Sequence, residues 1–163
     1  MYKTRRPVPS TDSSDLQACE TLADLFERRA GQFADRIAIE SGSVRLTYRE
    51  LDETSNLLAG HLKSLGVGPE TSVAFWLPRS ADTYVALLGI LKAGGAYVPL
   101  DAEYPADRVA YILRDSGARI VITSSEYADR VTDFDGTVVL IDRDWPTIAL
   151  NSAPRPLKAD RSI

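Results

Sequence analysis

Leu91-Lys92-Ala93-Gly94-Gly95-Ala96-Tyr97-Val98-Pro99-Leu100-Asp101 joins two different apolar patterns. Ahead of it, Tyr84 to Leu91 is nearly continuous in apolar residues, and behind it Ala96 to Leu100 is a short apolar run. Glycine ends a helix at little cost because it accepts the left-handed backbone found at helix C-termini. The stretch therefore predicts a buried helix, a glycine stop and a short buried strand. Ser80 stands where that helix needs an N-cap, and Asp82 falls in its first turn, where the helix dipole favours a carboxylate. A helix apolar nearly all round has to be covered on several sides.

Reading outward, Val73 to Leu77 is an apolar run between Pro69 and Pro78 and predicts a buried strand. Pro105, at a first helical position, opens a helix with Val109, Ile112 and Leu113 inward and Gly117 as its stop. Ile120 to Thr123 and Val138 to Ile141 are further strands, with a short helix or turn at Glu126 to Arg130. This alternation predicts an α/β fold, a mostly parallel sheet flanked by helices.

Toward the N-terminus lies Leu46-Thr47-Tyr48-Arg49-Glu50-Leu51. Thr47 and Glu50 have capping-box spacing, each side chain placed to satisfy the other residue's backbone N–H. Leu46 and Leu51 add a hydrophobic staple across the cap. Leu51, Leu58, Leu62 and Leu65 continue the helix as an apolar stripe, and Gly66 ends it. Ile37 to Ser41 and Val44 to Leu46 predict a hairpin turned at Gly42-Ser43. Thr21 caps an earlier helix with Leu22, Leu25, Phe26 and Phe33 on one face, ending near Gly31.

Three segments follow from this pattern. Residues 1–20, rich in Pro, Ser, Thr and Asp, are expected to be a flexible leader or linker. Residues 21–145 carry the fold. Residues 146–163, with Pro146, Pro154 and Pro156, are expected to be a loop leading away from it.

The formal charge of −4 and the pI near 5.0 give no electrostatic reason to expect nucleic acid or an anionic membrane as partner. Cys19 is the only cysteine, which rules out an intramolecular disulfide and fits a reducing, cytoplasmic compartment. No apolar run is long enough to span a bilayer.

Candidate chemistry is sparse. Gly94-Gly95 closes a helix, whereas a phosphate loop follows a strand and opens one. His61 has no second ligand at metal-binding spacing, so a helix-surface or half-buried histidine is expected. Thr123-Ser124-Ser125 follows a strand but lacks glycine, and predicts a turn and helix cap. Asp133, Asp135, Asp142 and Asp144 lack EF-hand spacing and are expected to be solvated loop carboxylates. Trp76 and Tyr97 are expected in the core.

Leu46 to Leu51 and Leu91 to Asp101 resemble, in order and at the expected separation, the first two core motifs of the amino-acid adenylation domains of nonribosomal peptide synthetases. These motifs are L-[TS]-Y-x-E-L and L-K-A-G-x-A-Y-x-P-x-D. Tyr104-Pro105, Arg108 and Ser116-Gly117-Ala118-Arg119 agree as well, while Ala102 stands where the family often has proline. The resemblance covers about Thr21 to Ile163. It implies an incomplete N-terminal part of the adenylate-forming large domain. The complete domain uses ATP and magnesium to convert an amino acid to its aminoacyl adenylate. Its phosphate loop would come next, and Leu157 to Ile163 resembles the approach to it. No functional residue of the family transfers to a position here, so no catalytic, cofactor-binding or metal residue is expected on this chain. The resemblance implies a truncated domain, inactive alone, that needs the complementary remainder or self-associates. One half of a split enzyme, or a non-catalytic scaffold derived from the fold, are the alternatives.

Overall fold

A computed structural model describes residues 21–150. The expected leader, Cys19 and the Leu157 to Ile163 stretch lie outside the described residues. The elements run α1 (Leu22–Gln32), β1 (Ile37–Ser41), β2 (Val44–Thr47), α2 (Tyr48–Ser64), β3 (Ser72–Trp76), α3 (Ala81–Ala93), β4 (Ala96–Leu100), α4 (Ala106–Asp115), β5 (Ile120–Thr123), α5 (Ser125–Ala128), β6 (Thr137–Leu140) and α6 (Trp145–Leu150).

Strands β4-β3-β5-β6 form one sheet in that order, and every neighbouring pair is parallel. Successive side chains of a strand point to opposite faces, and helices cover both. On one face Val73, Phe75, Ile120 and Ile122 pack with Leu58 and Leu62 of α2, Val85 and Ile90 of α3, and Ile148 of α6. On the other, Ala74, Trp76 and Val121 pack with Val109 and Leu113 of α4 and Tyr127 of α5. That double cover is why β3 and β5 are apolar without alternation. The hairpin β1–β2 is a separate antiparallel sheet.

Local chemistry sets the element ends. Thr47 Oγ1 accepts the Glu50 N–H at 3.2 Å, and the Glu50 carboxylate accepts the Thr47 N–H at 2.8 Å, completing the predicted box. Thr21 and Asp24 form a second box at the start of α1, where the sequence pattern had indicated only a cap. Gly94 ends α3 at φ 89°.

Several expectations are corrected. β4 is an edge strand with Ala96, Tyr97 and Pro99 exposed, not a buried one. Tyr97 is 40% exposed and only leans on Phe75, so it is not a core residue. The Ala96 N–H donates to the Thr71 carbonyl on the β3 side, so alternation directs the backbone nitrogens of Tyr97 and Pro99 away from β3. The N–H that proline lacks would have pointed off the sheet, and its loss removes no ladder bond. Ser80 occupies the N-cap position of α3 without a side-chain cap bond, and Pro105 is the N-cap of α4 rather than its first helical residue. Leu65 falls past the end of α2 and is 38% exposed.

Residues 146–150 belong to helix α6 rather than to a loop. Pro146 sits in the first turn, where its missing N–H has no helical partner to lose. Ile148 is fully buried and pins the turn in place.

Candidate functional site

Open α/β sheets bind ligands outside the carboxyl ends of their parallel strands. Here that rim carries Arg79 after β3, Asp101 after β4, Ser124 and Ser125 after β5, and Asp142 after β6. A groove of about 560 Å³ opens there on a floor that includes Phe75, Leu77, Leu100 and Tyr127, with Arg79, Asp101 and Glu103 at its wall.

The rim is rigidly bonded. Trp76 donates its indole N–H to the Asp101 carbonyl at 2.9 Å, and the Asp101 carboxylate accepts the Glu103 N–H at 2.9 Å. Thr123 donates its hydroxyl to the Trp76 carbonyl at 2.7 Å. Arg130 stacks over Trp76 at 4.5 Å and Tyr127 at 5.0 Å, and donates to the Tyr104 carbonyl at 3.0 Å. Thr123-Ser124-Ser125 is the turn expected, and Ser124 stands at the N-cap position of α5 without a side-chain cap bond. The cap of α5, however, comes from Asp142 across the rim, whose two oxygens accept the Ser125 N–H at 3.0 and 3.1 Å.

Burial works against the charged form of Asp142, but hydrogen bonds from Ser125 and from the Asp142 and Arg143 backbone outweigh it and hold its pKa below the ordinary carboxylate value. Asp82, in the first turn of α3, is pushed the other way by burial and then by the nearby Asp142 charge. Asp144 accepts the Leu140 N–H at 2.9 Å and the Arg143 guanidinium at 3.1 Å, a structural tie rather than a solvated carboxylate.

This rim does not by itself fit a magnesium-bound triphosphate. Among the described residues lining the groove, Arg79 is the one cation and faces two carboxylates. Among the described residues, no group of three or more His, Cys, Asp or Glu could hold a metal ion.

A second groove, of about 790 Å³, lies between Phe26, Ile39 and Tyr48 on one side and Tyr84 and Leu87 of α3 on the other. Ser80 also lines it, with its Oγ buried and without a hydrogen-bond partner among the described residues. Close by, Lys92 forms a cluster that sequence reasoning missed. Its side chain is fully buried, and its Nζ lies 2.7 Å from Asp52 Oδ1, 3.0 Å from the Asp52 carbonyl, 2.8 Å from Ser55 Oγ and 2.9 Å from Asn56 Oδ1. The Phe26 ring centroid is 5.3 Å away. The available signal was a lysine in the last turn of a helix apolar on nearly every side, opposite a helix carrying Asp-x-x-Ser-Asn. His61 is more buried than expected, at 8% exposure. Burial lowers its pKa against the opposing charge of Asp144, and its Nδ1 has no hydrogen-bond partner among the described residues.

Residues 26–160 match the profile of the AMP-binding enzyme family, and the chain belongs to that family. It is homologous to nonribosomal peptide synthetase adenylation domains over most of its length. It is 44% identical over 161 residues to phosphinothricin tripeptide synthetase PhsC of Streptomyces viridochromogenes, covering 96% of this chain and 15% of that protein. With bacitracin synthase 2 of Bacillus licheniformis it shares 41% identity over 148 residues, 91% of this chain and 6% of the relative. The solved nonribosomal peptide synthetase FmoA3, in its α-methyl-L-serine-AMP bound form, superposes with a TM-score of 0.76 at 34% identity. The superposition covers 94% of this chain and 16% of that one. The chain thus spans a small fraction of the synthetases it matches.

Proposed function

We propose that this chain is the N-terminal part of an amino-acid adenylation domain of a nonribosomal peptide synthetase and supplies scaffold rather than reacting groups. One observation carries this reading: the residues of both motif stretches are occupied by structural work. Thr47 and Glu50 close a cap, the buried Lys92 is held by Asp52, Ser55 and Asn56, Gly94 stops a helix, and the Asp101 carbonyl takes the Trp76 indole. The family reaction is activation of an amino acid by ATP and magnesium to an aminoacyl adenylate. In this reading the complementary remainder of the domain supplies the groups that handle ATP and the amino acid. In this reading the partner is that remainder, a reading supported by the exposed Tyr97 and Pro99 of the edge strand β4, and the setting is the cytoplasm. Among the described residues, no helix is long and apolar enough to cross a membrane.

In this reading no preorganised groups among the described residues face the charge that develops at the α-phosphate as the carboxylate attacks and pyrophosphate leaves, and the chain alone does not catalyse adenylation. Purified chain with ATP, magnesium and each standard amino acid is expected to show no amino-acid-dependent pyrophosphate exchange. Co-expression with the remainder of a homologous adenylation domain is expected to produce it. Exchange by the chain alone overturns the scaffold reading, and an inert complex favours a non-catalytic binding protein.

A further inference from the structure

The polypeptide from α1 to α2 shares no strand pairing with the four-stranded sheet, because its own two strands form a sheet of their own. It is seated by α2 against α3, with α1 and β1 also touching α3 and α2 touching α6. Lys92 crosses this seam. It leaves α3, ends among Asp52, Ser55 and Asn56 of α2, and lies beneath the Phe26 ring of α1. Asp52 remains 19% exposed, whereas the lysine side chain is fully enclosed.

An enclosed ammonium is tolerated only while its partners replace the water it has lost. Here the Asp52, Ser55 and Asn56 oxygens that surround Nζ all belong to α2. If the carboxylate is removed, the enclosed ammonium keeps only neutral acceptors on α2, and the packing of α2 against α3 around it is weakened. We propose that Lys92 is a latch between two parts of the fold, the α1–hairpin–α2 unit and the sheet-bearing unit. Closed, it seats the first unit and forms the 790 Å³ groove between Phe26, Ile39 and Tyr48 and the α3 residues Tyr84 and Leu87. Released, the first unit loosens on α3 and the groove is lost, while the four-stranded sheet persists under α3 and α6. This device operates whether or not the chain takes part in adenylation.

Hydrogen exchange followed by mass spectrometry tests it on the full chain. In Asp52→Ala, amides of α1, the hairpin and α2 are expected to exchange about a hundredfold faster, as the loss of one partner of a buried pair implies. Amides of β3 and β5 are expected to keep their wild-type rates. The double variant Asp52→Ala/Lys92→Met is expected to return the first unit toward wild-type exchange, since a neutral side chain has nothing to hydrate. Asp52→Asn, which keeps the shape and removes the charge, follows the same ordering and serves if Asp52→Ala does not fold. Equal acceleration in all segments, no acceleration, or a double variant as open as the single one would each overturn the latch.

Discussion

Gly89 of α3 lies directly against Leu58 of α2: a Cβ at Gly89 would stand 2.8 Å from Leu58 Cδ2 and 2.9 Å from Cγ. Both residues are buried where α2 packs on α3, and Leu58 is fully buried. Close helix approach here depends on the missing side chain.

Gly89→Ala is therefore expected to destabilise the protein by about 1–3 kcal/mol through overpacking, despite alanine's better helix propensity. Urea unfolding measures it. An unchanged or raised midpoint would mean that Leu58 moves aside freely.

The capping box predicts a pH signature. Hydrogen bonds from the Thr47 backbone and side chain hold the Glu50 carboxyl below its ordinary value of 4.5. A carboxyl with a lowered folded-state pKa contributes stability that is full above its unfolded value and is lost as pH falls through the folded one. Wild-type melting temperature is thus expected to fall more steeply below pH 4.5 than that of Glu50→Gln. Thr47→Ala is expected to lose about 1 kcal/mol at neutral pH. Parallel pH profiles for wild type and Glu50→Gln would remove Glu50 from the cap.

Asp82 carries the opposite sign. Its pKa is raised by burial and by Asp142, so its ionised form weakens the fold at neutral pH. Asp82→Asn is expected to melt higher than wild type at pH 7, with the difference vanishing as pH falls below the ordinary 3.8. A lower melting temperature at neutral pH would show that the dipole of α3 outweighs burial at this position.

Ile148 tests whether α6 belongs to the folded unit. Its side chain is fully buried in the cluster with α2, so Ile148→Ala is expected to cost about 2–5 kcal/mol. A residue in an exit loop would tolerate the change with no shift in the urea midpoint.

The sequence by itself determined most of the elements and both helix–cap junctions around the motif stretches. Thr47 with Glu50, the Gly94 stop and the apolar runs Val73–Trp76 and Ile120–Ile122 each state a local requirement, met within a few residues whatever the rest of the chain does. Family membership was legible for the same reason, since both motifs are contiguous. What only the tertiary structure decided is how these pieces share neighbours. Val98 and Leu100 of β4 pack beneath α4 while Tyr97 and Pro99 face outward, because β4 ends the sheet, and strand order is not written in any one strand. Pro146 read as the start of a loop until Ile148 found a buried seat beside α2. Lys92 looked like a motif letter until α2 supplied Asp52, Ser55 and Asn56, some 36 to 40 residues earlier in the chain. Contacts over such separations depend on how helices and strands stack, and local pattern carries no record of that stacking.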